Sequence, residues 1–392
     1  MIETCALGDV VDVSAGQPAP NTVAFSESGI PFIRAGSLAN LLNGGRETDC
    51  EKVPESTAAA HGLRLYPKDT VVFAKSGMSA TLGRVYRLKG PAYVVSHLAT
   101  LVPTGSYDPA YLTHWLRRHS PARLIKDRSY PSIRVTDIAQ MRVPHVNLPT
   151  QARIAGLLDE ADVIHHKKAQ ARTLMGDFLR STFLEMFGDP AINPMEWPLQ
   201  TFESVLIEPL RNGISPSSKG RISARVLTLS AITGSSFDSR SAKDGCFLES
   251  IAERDQVSDS DFYICRGNGN RDLVGKGAFA TAKMNGVAFP DTMIAAQPDP
   301  KKISRAYLEA IWKSPFIRSQ IFASARTTNG TYKINQTATG SLVITLPPIH
   351  LQEEYQSIFD KVRTIQKLED AALEDAETLI ATLSERAFSG KL

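Results

Sequence analysis

The sequence predicts a mixed α/β protein in which two pseudo-repeated α/β domains are separated by two long helices. Three observations predict this fold class. Similar short segments occur in the same order in both halves, each half closes on a long stretch without proline, and both stretches carry apolar residues at heptad spacing. The predicted bounds are 1–148 and 191–347 for the domains, and 149–190 and 348–392 for the helical segments.

The two halves correspond at four places. Each half opens with an apolar segment, continues with a strand that leads into a basic residue and a small-residue loop, then has a short amphipathic helix and a last apolar segment. The corresponding segments are 7–11 and 202–206, 69–77 and 261–269, 110–112 and 306–308, and 143–146 and 343–346. Because their order is identical at a period of about 200 residues, they indicate duplicated domains rather than a solenoid.

Each half closes on a segment that is long enough for a coiled-coil helix. The first runs from Thr150, a suitable N-cap, to Phe187 and stops at Gly188 and Pro190. Its roughly 38 residues would extend roughly 57 Å, and the second helix covers 351–388. The heptad spacing predicts packing through Leu157, Ala161, Ile164, Lys168, Ala171, Met175 and Phe178 of the first helix and Ile358, Val362, Ile365, Glu369, Ala372, Ala376, Leu379 and Leu383 of the second.

One charged residue stands at the same heptad place in each helix, Lys168 in the first and Glu369 in the second. If the helices pack antiparallel, these two residues lie within about one helical turn of each other. We expect an ion pair that helps to fix the register, a role that polar residues have in such seams. The alternative is that both side chains extend into solvent.

The composition is that of an ordinary globular protein. Hydrophobic residues make up 42% of the chain and charged residues 22%, and no apolar run is long enough for a membrane span. The N-terminus lacks the pattern of a secretory signal, so we expect a cytoplasmic location. The net charge of +3 does not by itself indicate a nucleic-acid partner. Cys5, Cys50, Cys246 and Cys265 form no CxxC or CxxH pair, which predicts reduced, mostly buried thiols.

No catalytic pattern is evident, so we expect a chain that is not an enzyme and that binds no metal and no cofactor. Asn193-Pro194-Met195-Glu196 is the nearest approach to a DNA methyltransferase tetrapeptide, but it lacks the second proline and the aromatic residue and fits a linker turn better. A P-loop motif is absent. His165 and His166 are adjacent on a helix and would point about 100° apart, which does not suit a shared metal site.

Several of these segments resemble the specificity subunit of type I restriction-modification systems. Two of them are apolar, proline-containing segments that lead into a long helix with a glutamine near its start. Two others begin a strand that precedes a loop of small residues, and the last two lie at the ends of the long helices. The stretches are 143–151, 343–352, 69–73, 261–263, 187–190 and 387–392. Each stretch is short, and their order along essentially the whole chain makes the resemblance specific.

The resemblance implies a non-catalytic, DNA-binding subunit of a phage-defence complex. Each globular half would be a target-recognition domain that reads one half of a gapped, bipartite site in double-stranded DNA. The helices would pack as an antiparallel coiled coil that sets the spacing and docks two modification (methyltransferase) subunits, with restriction and motor subunits in the full complex. AdoMet would then belong to the modification subunits.

Loop segments in each half have the chemistry that DNA recognition needs. Arg and Lys bind guanine edges and phosphates, Asn and Gln bind adenine, and glycine lets the backbone approach the duplex. The candidates in the first half are Arg34, Lys75, Ser76, Gly77, Met78, Ser79, Lys126, Arg128, Ser129, Tyr130 and Arg134. Those in the second half are Arg266, Asn268, Asn270, Arg271, Lys276, Arg326, Thr327, Thr328, Asn329, Tyr332 and Lys333. The alternative for any one of them is a solvated loop residue.

Two other interpretations stay open. The chain could be a specificity or adaptor component of a related DNA-modification or phage-defence system, which the neighbouring genes would distinguish. It could also be a coiled-coil adaptor with no role on DNA, which a DNA-binding assay with partner subunits would distinguish. Because the loops of the two halves differ, the interpretation as a type I specificity subunit predicts an asymmetric, gapped target.

Overall fold

The computed structural model describes residues 3–20, 25–234, 236–328 and 330–388, with only the backbone of Thr328 and Ala387. The chain divides into two compact units. Unit 1 comprises Met1–Ala171 and Glu369–Leu392, and unit 2 comprises Arg172–Leu368. Helices and strands are mixed in both. Within the described ranges, no helix has the length and hydropathy that crossing a bilayer requires.

Unit 1 contains short strands and helices ahead of a long helix. The strands are β1 (Thr4–Ala6), β2 (Val11–Ala15), β3 (Ile30–Ile33), β4 (Lys52–Val53), β5 (Val71–Ala74), β6 (Val85–Arg87), β7 (Tyr93–Val94), β8 (Leu98–Pro103) and β9 (Arg142–Pro144). The helices are α1 (Ser37–Leu42), α2 (Glu55–Ala60), α3 (Pro109–Arg118), α4 (Val135–Ala139) and α5 (Leu148–Phe187), of which residues up to Ala171 belong to this unit.

The central sheet of unit 1 has the strand order β2-β8-β5-β6 and is antiparallel. Its middle strand β5 is buried on both faces, which explains its uninterrupted apolar sequence. Val71 and Phe73 pack in one core cluster, which also contains Trp115 of α3. Val72 and Ala74 pack in a second cluster on the opposite face. The end of β5 is therefore held firmly from both sides.

Unit 2 has a similar inventory. Its strands are β10 (Leu199–Thr201), β11 (Arg211–Asn212), β12 (Ile222–Leu227), β13 (Ala242–Phe247), β14 (Gln256–Val257), β15 (Phe262–Cys265), β16 (Gly267–Asn268), β17 (Gly277–Phe279), β18 (Met284–Ala288), β19 (Met293–Ala296), β20 (Arg326–Thr328), β21 (Thr331–Lys333) and β22 (Val343–Thr345). Its helices are α6 (Ser230–Thr233), α7 (Arg305–Trp312), α8 (Pro315–Ser324), α9 (Gln336–Gly340) and α10 (Ile349–Phe388), of which residues up to Leu368 belong to this unit.

The central sheet of unit 2 has the order β11-β19-β15-β17, also antiparallel. Its middle strand β15 is buried on both faces, with Phe262 in one core cluster and Tyr263 in another. Burial raises the pKa of Cys265, the last residue of β15, to about 11, so this thiol stays neutral. Only Cys265 of the four cysteines is fully buried, and Cys246 is exposed, which corrects the expectation of mostly buried thiols.

A buried glutamine near the start of each long helix binds the N-terminus of a short helix. Gln151 Oε1 accepts the N–H of Asp108, the N-cap of α3, at 2.8 Å, and its Nε2 donates to the carbonyl of Val146 at 2.8 Å. In unit 2, Gln352 Oε1 accepts the N–H of Ser304, the N-cap of α7, at 2.9 Å. Each glutamine therefore joins a long helix to its globular domain.

The start of α5 differs slightly from the prediction, and its end agrees with it. Asn147 Oδ1, not Thr150, caps the helix, because it accepts the N–H of Thr150 at 2.9 Å. Pro149 then lies in the first turn, where a missing N–H costs no helical hydrogen bond. At the other end, Gly188 has a φ of +74° and its N–H donates to the carbonyl of Leu184 at 2.9 Å, as the stop signal predicted.

Burial along the two long helices corrects the predicted packing seam. Ala161, Lys168, Ala171 and Met175 of α5 and Ile358, Val362, Glu369, Ala372, Ala376 and Leu383 of α10 are partly or fully buried. Five other predicted seam residues are instead between 43% and 56% exposed: Leu157, Ile164, Phe178, Ile365 and Leu379. The residues that follow them, Leu158, His165, Leu179, Gln366 and Ile380, are buried or partly buried. The five exposed residues and the five that follow them both satisfy heptad spacing, and tertiary packing buries the second group.

Lys168 and Glu369 form the ion pair that the heptad positions predicted. In unit 1, Lys168 Nζ lies 3.4 Å from Glu369 Oε2, and His165 Nε2 lies 3.2 Å from Glu377 Oε1. His165 precedes Lys168 on α5, whereas its partner Glu377 follows Glu369 on α10. The two helices therefore run antiparallel here. The side chains of Lys168 and Glu369 are 23% and 37% exposed, so solvent screens the pair.

A double-mutant cycle on Lys168→Ala and Glu369→Ala measures what this pair contributes. We expect a coupling of about 0.5 kcal/mol in the free energy of unfolding, as for other partly exposed pairs. Denaturant titration of the wild type, both single variants and the double variant gives the value. Strictly additive single substitutions would show that the contact does not stabilise the helix pair.

Candidate nucleic-acid interface

In unit 1, the loop after β5 lies against the loop that precedes α4. The N–H of Gly77 donates to the carbonyl of Pro131 at 2.9 Å, and the N–H of Ile133 donates to the carbonyl of Lys75 at 2.7 Å. Ser76 and Ser132 form a β-bridge between these bonds. Two sequence segments that were predicted separately, 75–79 and 126–134, therefore form one surface, which we call loop surface 1.

Loop surface 1 presents more positive than negative charge, since it carries two lysines and two arginines but a single carboxylate, Asp127. Among the described residues, no carboxylate lies within salt-bridge distance of Lys75, Arg128 or Arg134. Lys126 Nζ lies 3.7 Å from Asp137, but it is 81% exposed, so this pair contributes little. Ser129 and Tyr130 are exposed, and Ser79 is partly exposed. Such a surface suits the phosphates and base edges of DNA.

Gly77 has a φ of +73°, which favours glycine. A Cβ added there would meet no atom within 4 Å, so the backbone at this point faces open space. An exposed backbone at the tip of a cationic loop can approach a ligand closely.

The loop after β15 has the same backbone connections in unit 2. The N–H of Arg266 donates to the carbonyl of Thr292 at 2.9 Å, and the carbonyl of Arg266 accepts the N–H of Ile334 at 2.9 Å. Lys75 has the same two bonds, to His97 at 2.9 Å and Ile133 at 2.7 Å. The segments 266–271 and 326–333 therefore form a second surface, loop surface 2, at the equivalent place.

The segment 326–333 is a β-hairpin rather than the predicted loop. β20 pairs with β21, and β21 also pairs with β16. Asn329 lies outside the described residues, but Asn329-Gly330 is a typical hairpin turn sequence that could have predicted this structure. Arg326, Thr327 and Lys333 are exposed, whereas Tyr332 packs against the core. Within the described chain, neither Arg326 nor Lys333 has a carboxylate in salt-bridge distance.

The side-chain oxygens of the two asparagines of loop surface 2 each accept a backbone hydrogen bond. Asn268 Oδ1 accepts the N–H of Asn270 at 2.9 Å, and Asn270 Oδ1 accepts the N–H of Asp272 at 2.9 Å. Bidentate adenine readout needs the amide oxygen as well as the amide nitrogen. Both oxygens already stabilise turns, so a ligand would meet the Nδ2 donors and the one remaining lone pair of each oxygen.

Three predicted DNA-contacting cations are engaged within the protein. Arg34 pairs with Glu51 and lies over the ring of Phe25, with 5.0 Å from its guanidinium carbon to the ring centroid. Lys276 Nζ donates to the carbonyl of Thr233 at 3.1 Å. Arg271 lies 4.8 Å over the ring of Phe322. These contacts give the three side chains structural partners, although Arg271 belongs to loop surface 2.

Sequence reasoning missed two residues that position the loops. His97 Nδ1 lies 2.8 Å from Ser76 Oγ, and its carbonyl accepts the N–H of Lys75. In unit 2, the carbonyl of Asp291 accepts a hydrogen bond of 3.0 Å from Arg266 Nη1. Both residues lie in loops far away in sequence, and no periodicity or motif marks them.

The segment Asn193-Pro194-Met195-Glu196 forms a turn. Asn193 has a φ of +49°, and its amide side chain bonds both the N–H and the carbonyl of Trp197, which makes the segment a turn. No group of three or more His, Cys, Asp or Glu residues in the described ranges could hold a metal ion.

Comparison with known proteins finds similar proteins of one class. Residues 2–171 match the model of the type I restriction modification DNA specificity domain. The EcoKI type I restriction enzyme specificity subunit of Escherichia coli K12 is 25% identical over 389 residues, which covers 93% of this chain and 82% of that protein. The StySPI specificity subunit of Salmonella potsdam is 22% identical over 390 residues with the same shares covered.

Solved structures show the same fold. The S subunit of the type I restriction-modification system of M. genitalium matches with a TM-score of 0.62 at 12% identity, over 99% of this chain and 96% of that one. A chain from a structure on complex assembly and conformational transition of the type I R-M system matches with a TM-score of 0.53 at 16% identity, over 100% of this chain and 98% of that one.

These findings confirm the predicted resemblance. The N-terminal part of the chain is a DNA specificity domain, and the similarity to specificity subunits extends over nearly the whole length. The chain is therefore similar to the specificity subunits of type I restriction-modification systems.

Proposed function

We propose that each half of this chain reads one half of a gapped, bipartite site in double-stranded DNA. The recognition domains are 1–148 and 191–347, and loop surfaces 1 and 2 enter the DNA grooves. The observation that carries this proposal is the equivalent place of the two surfaces, each after the middle strand of an antiparallel sheet with matching strand order. Apart from Lys126, which lies 3.7 Å from Asp137, their cations have no carboxylate within salt-bridge distance in the described chain, which leaves them available for phosphates and bases.

The helices α5 and α10 set the spacing between the two half-sites, as the arms of one antiparallel coiled coil. Since an α-helix rises about 1.5 Å per residue, long helices can hold two recognition domains at a fixed separation. The antiparallel contacts of Lys168 and His165 in unit 1 support this arrangement.

The same helices dock two methyltransferase subunits, one on each unit. Apolar residues that the seam does not bury support this role. In unit 1 this exposed stripe consists of Leu157, Val163, Ile164 and Leu379, and in unit 2 of Leu174, Phe178, Leu184, Ile365 and Leu368. Large apolar side chains recurring on helix surfaces mark places where another protein packs. The bound methyltransferases would hold AdoMet and carry out the chemistry, and restriction and motor subunits would complete the complex.

Co-expression with the neighbouring methyltransferase subunit, followed by sequencing of methylated sites, tests the proposal. We expect one gapped motif with two specified, different halves. The variant Lys75→Ala/Arg128→Ala should weaken DNA binding by the complex and reduce the slope of log K against log salt by about 0.9 for each phosphate that the variant no longer neutralises. The control Lys68→Ala removes an exposed lysine outside the loops and should leave the slope unchanged.

A continuous methylation motif, or no methylation, would refute the reading of a bipartite site. An unchanged salt slope in the double variant would remove loop surface 1 from the interface. A chain that assembles with the methyltransferase but gives no DNA affinity would favour the alternative of a coiled-coil adaptor.

A further inference from the structure

Two large apolar side chains stand in solvent on loop surface 1. Tyr130 is 85% exposed and Met78 is 69% exposed. Neither side chain forms a hydrogen bond or ring contact with another described residue. Tyrosine usually hides much of its ring even at a surface, so a side chain this exposed has no structural task here.

Both residues sit on a firmly held backbone. Ser76 and Ser132 form a β-bridge, and Met78 and Tyr130 each lie two residues from it, Met78 after Ser76 and Tyr130 before Ser132. The antiparallel register therefore brings them to the same end of the bridge. Pro131 and Ile133 are buried directly behind it. The backbone that carries the two side chains is thus already fixed. Binding a ligand therefore costs little conformational entropy for ordering the loop.

Cations without carboxylate partners lie near this apolar pair in sequence. Lys75 lies three residues before Met78, and Arg128 and Arg134 flank Tyr130, all unpaired within the described chain. A surface that binds another protein usually has a wider apolar patch, with few charged residues at its centre. An apolar contact within a cationic frame instead suits a base edge between phosphates.

The equivalent place in unit 2 is chemically different. There the loop after β15 has Gly269 between Asn268 and Asn270 and no large apolar side chain, and Tyr332 is packed against the core. The only strongly apolar group that a base pair offers in the major groove is the 5-methyl group of thymine. We propose that Met78 and Tyr130 contact a thymine methyl group in the half-site that unit 1 reads, an inference that rests on the proposed function.

Replacing each thymine of that half-site by uracil, one at a time, tests this contact. The methylated motif of the wild-type complex with its methyltransferase first defines the half-site, and binding of the substituted duplexes is then measured. At one position we expect about a fourfold loss of affinity, because burying one methyl group contributes about 0.8 kcal/mol. Met78→Ala/Tyr130→Ala should bind the thymine and uracil duplexes equally.

Three variants separate the explanations. Tyr130→Phe keeps the apolar ring and should keep the discrimination, so its loss would point to the hydroxyl and overturn the methyl contact. Leu65→Ala removes another exposed apolar side chain of unit 1 and should behave like the wild type. The double alanine variant should keep its salt slope, since no charge is removed.

Two results would overturn the inference while the proposed function stands. One is a gapped motif in which uracil is tolerated at every thymine of this half-site. The other is a double variant that loses methyltransferase assembly, which would make the apolar pair a protein contact.

Discussion

Replacing Phe178 by glutamate is expected to leave this chain with one methyltransferase subunit instead of two. Phe178 is exposed on α5, although a heptad pattern would bury it. In the proposed complex its ring packs against the methyltransferase on unit 2, and a carboxylate there would lose its hydration without gaining a partner. We expect binding of that subunit to weaken by more than about 100-fold, since such burial costs several kcal/mol. Mass measurement of the co-purified complex gives the stoichiometry.

Ile164→Glu makes the same test for unit 1 and should also remove one subunit. The matched control is Gly176→Glu, which adds the same charge about 200° around the helix from Phe178. A Cβ at Gly176 meets nothing within 4 Å, so this substitution fits without strain. If Phe178→Glu and Ile164→Glu both keep two methyltransferase subunits, the exposed stripes do not dock them.

The long helices show why a heptad pattern predicts a helix better than its buried face. Both α5 and α10 have adjacent residues that could each lie in a packing seam, such as Leu157 with Leu158 and Leu379 with Ile380. Spacings of four and three fit either set, so periodicity alone leaves two seams open. Burial selects Leu158 and Ile380, and their neighbours become exposed. The choice depends on contacts with other parts of the fold, which one-dimensional spacing does not contain.

For the candidate DNA-binding residues too, local sequence predicts the position of the loops but not the contacts of individual side chains. The segments after β5 and β15 could be predicted, because a buried strand that runs into a basic, glycine-containing loop leaves a local pattern. Which cations stay available could not be predicted. Arg34 is neutralised by Glu51, and Lys276 is held by the carbonyl of Thr233, 43 residues away in sequence. Such partners are set by tertiary packing, as is the use of Asn268 and Asn270 in turns.

Replacing Gln352 by alanine is expected to destabilise unit 2 by about 3 kcal/mol. Its Oε1 accepts the N–H of Ser304, and its Nε2 donates to the carbonyls of Pro347 at 2.8 Å and Lys302 at 3.2 Å. Gln352 is fully buried, so water cannot take over these bonds. Alanine would leave one donor and two acceptors unpaired beside a cavity. Hydrogen exchange of α7, whose N-cap loses its partner, reports the effect locally.

Gln352→Glu sharpens the test because it keeps the shape of the side chain. A carboxylate still accepts from Ser304, but it cannot donate to the two carbonyls and it brings a buried charge towards them, so the loss of stability should at least equal that of alanine. Glu353→Ala changes the exposed neighbour on the same turn and should alter stability by less than about 0.5 kcal/mol. If α7 exchanges no faster in Gln352→Ala than in Glu353→Ala, the buried amide does not hold the long helix to its domain.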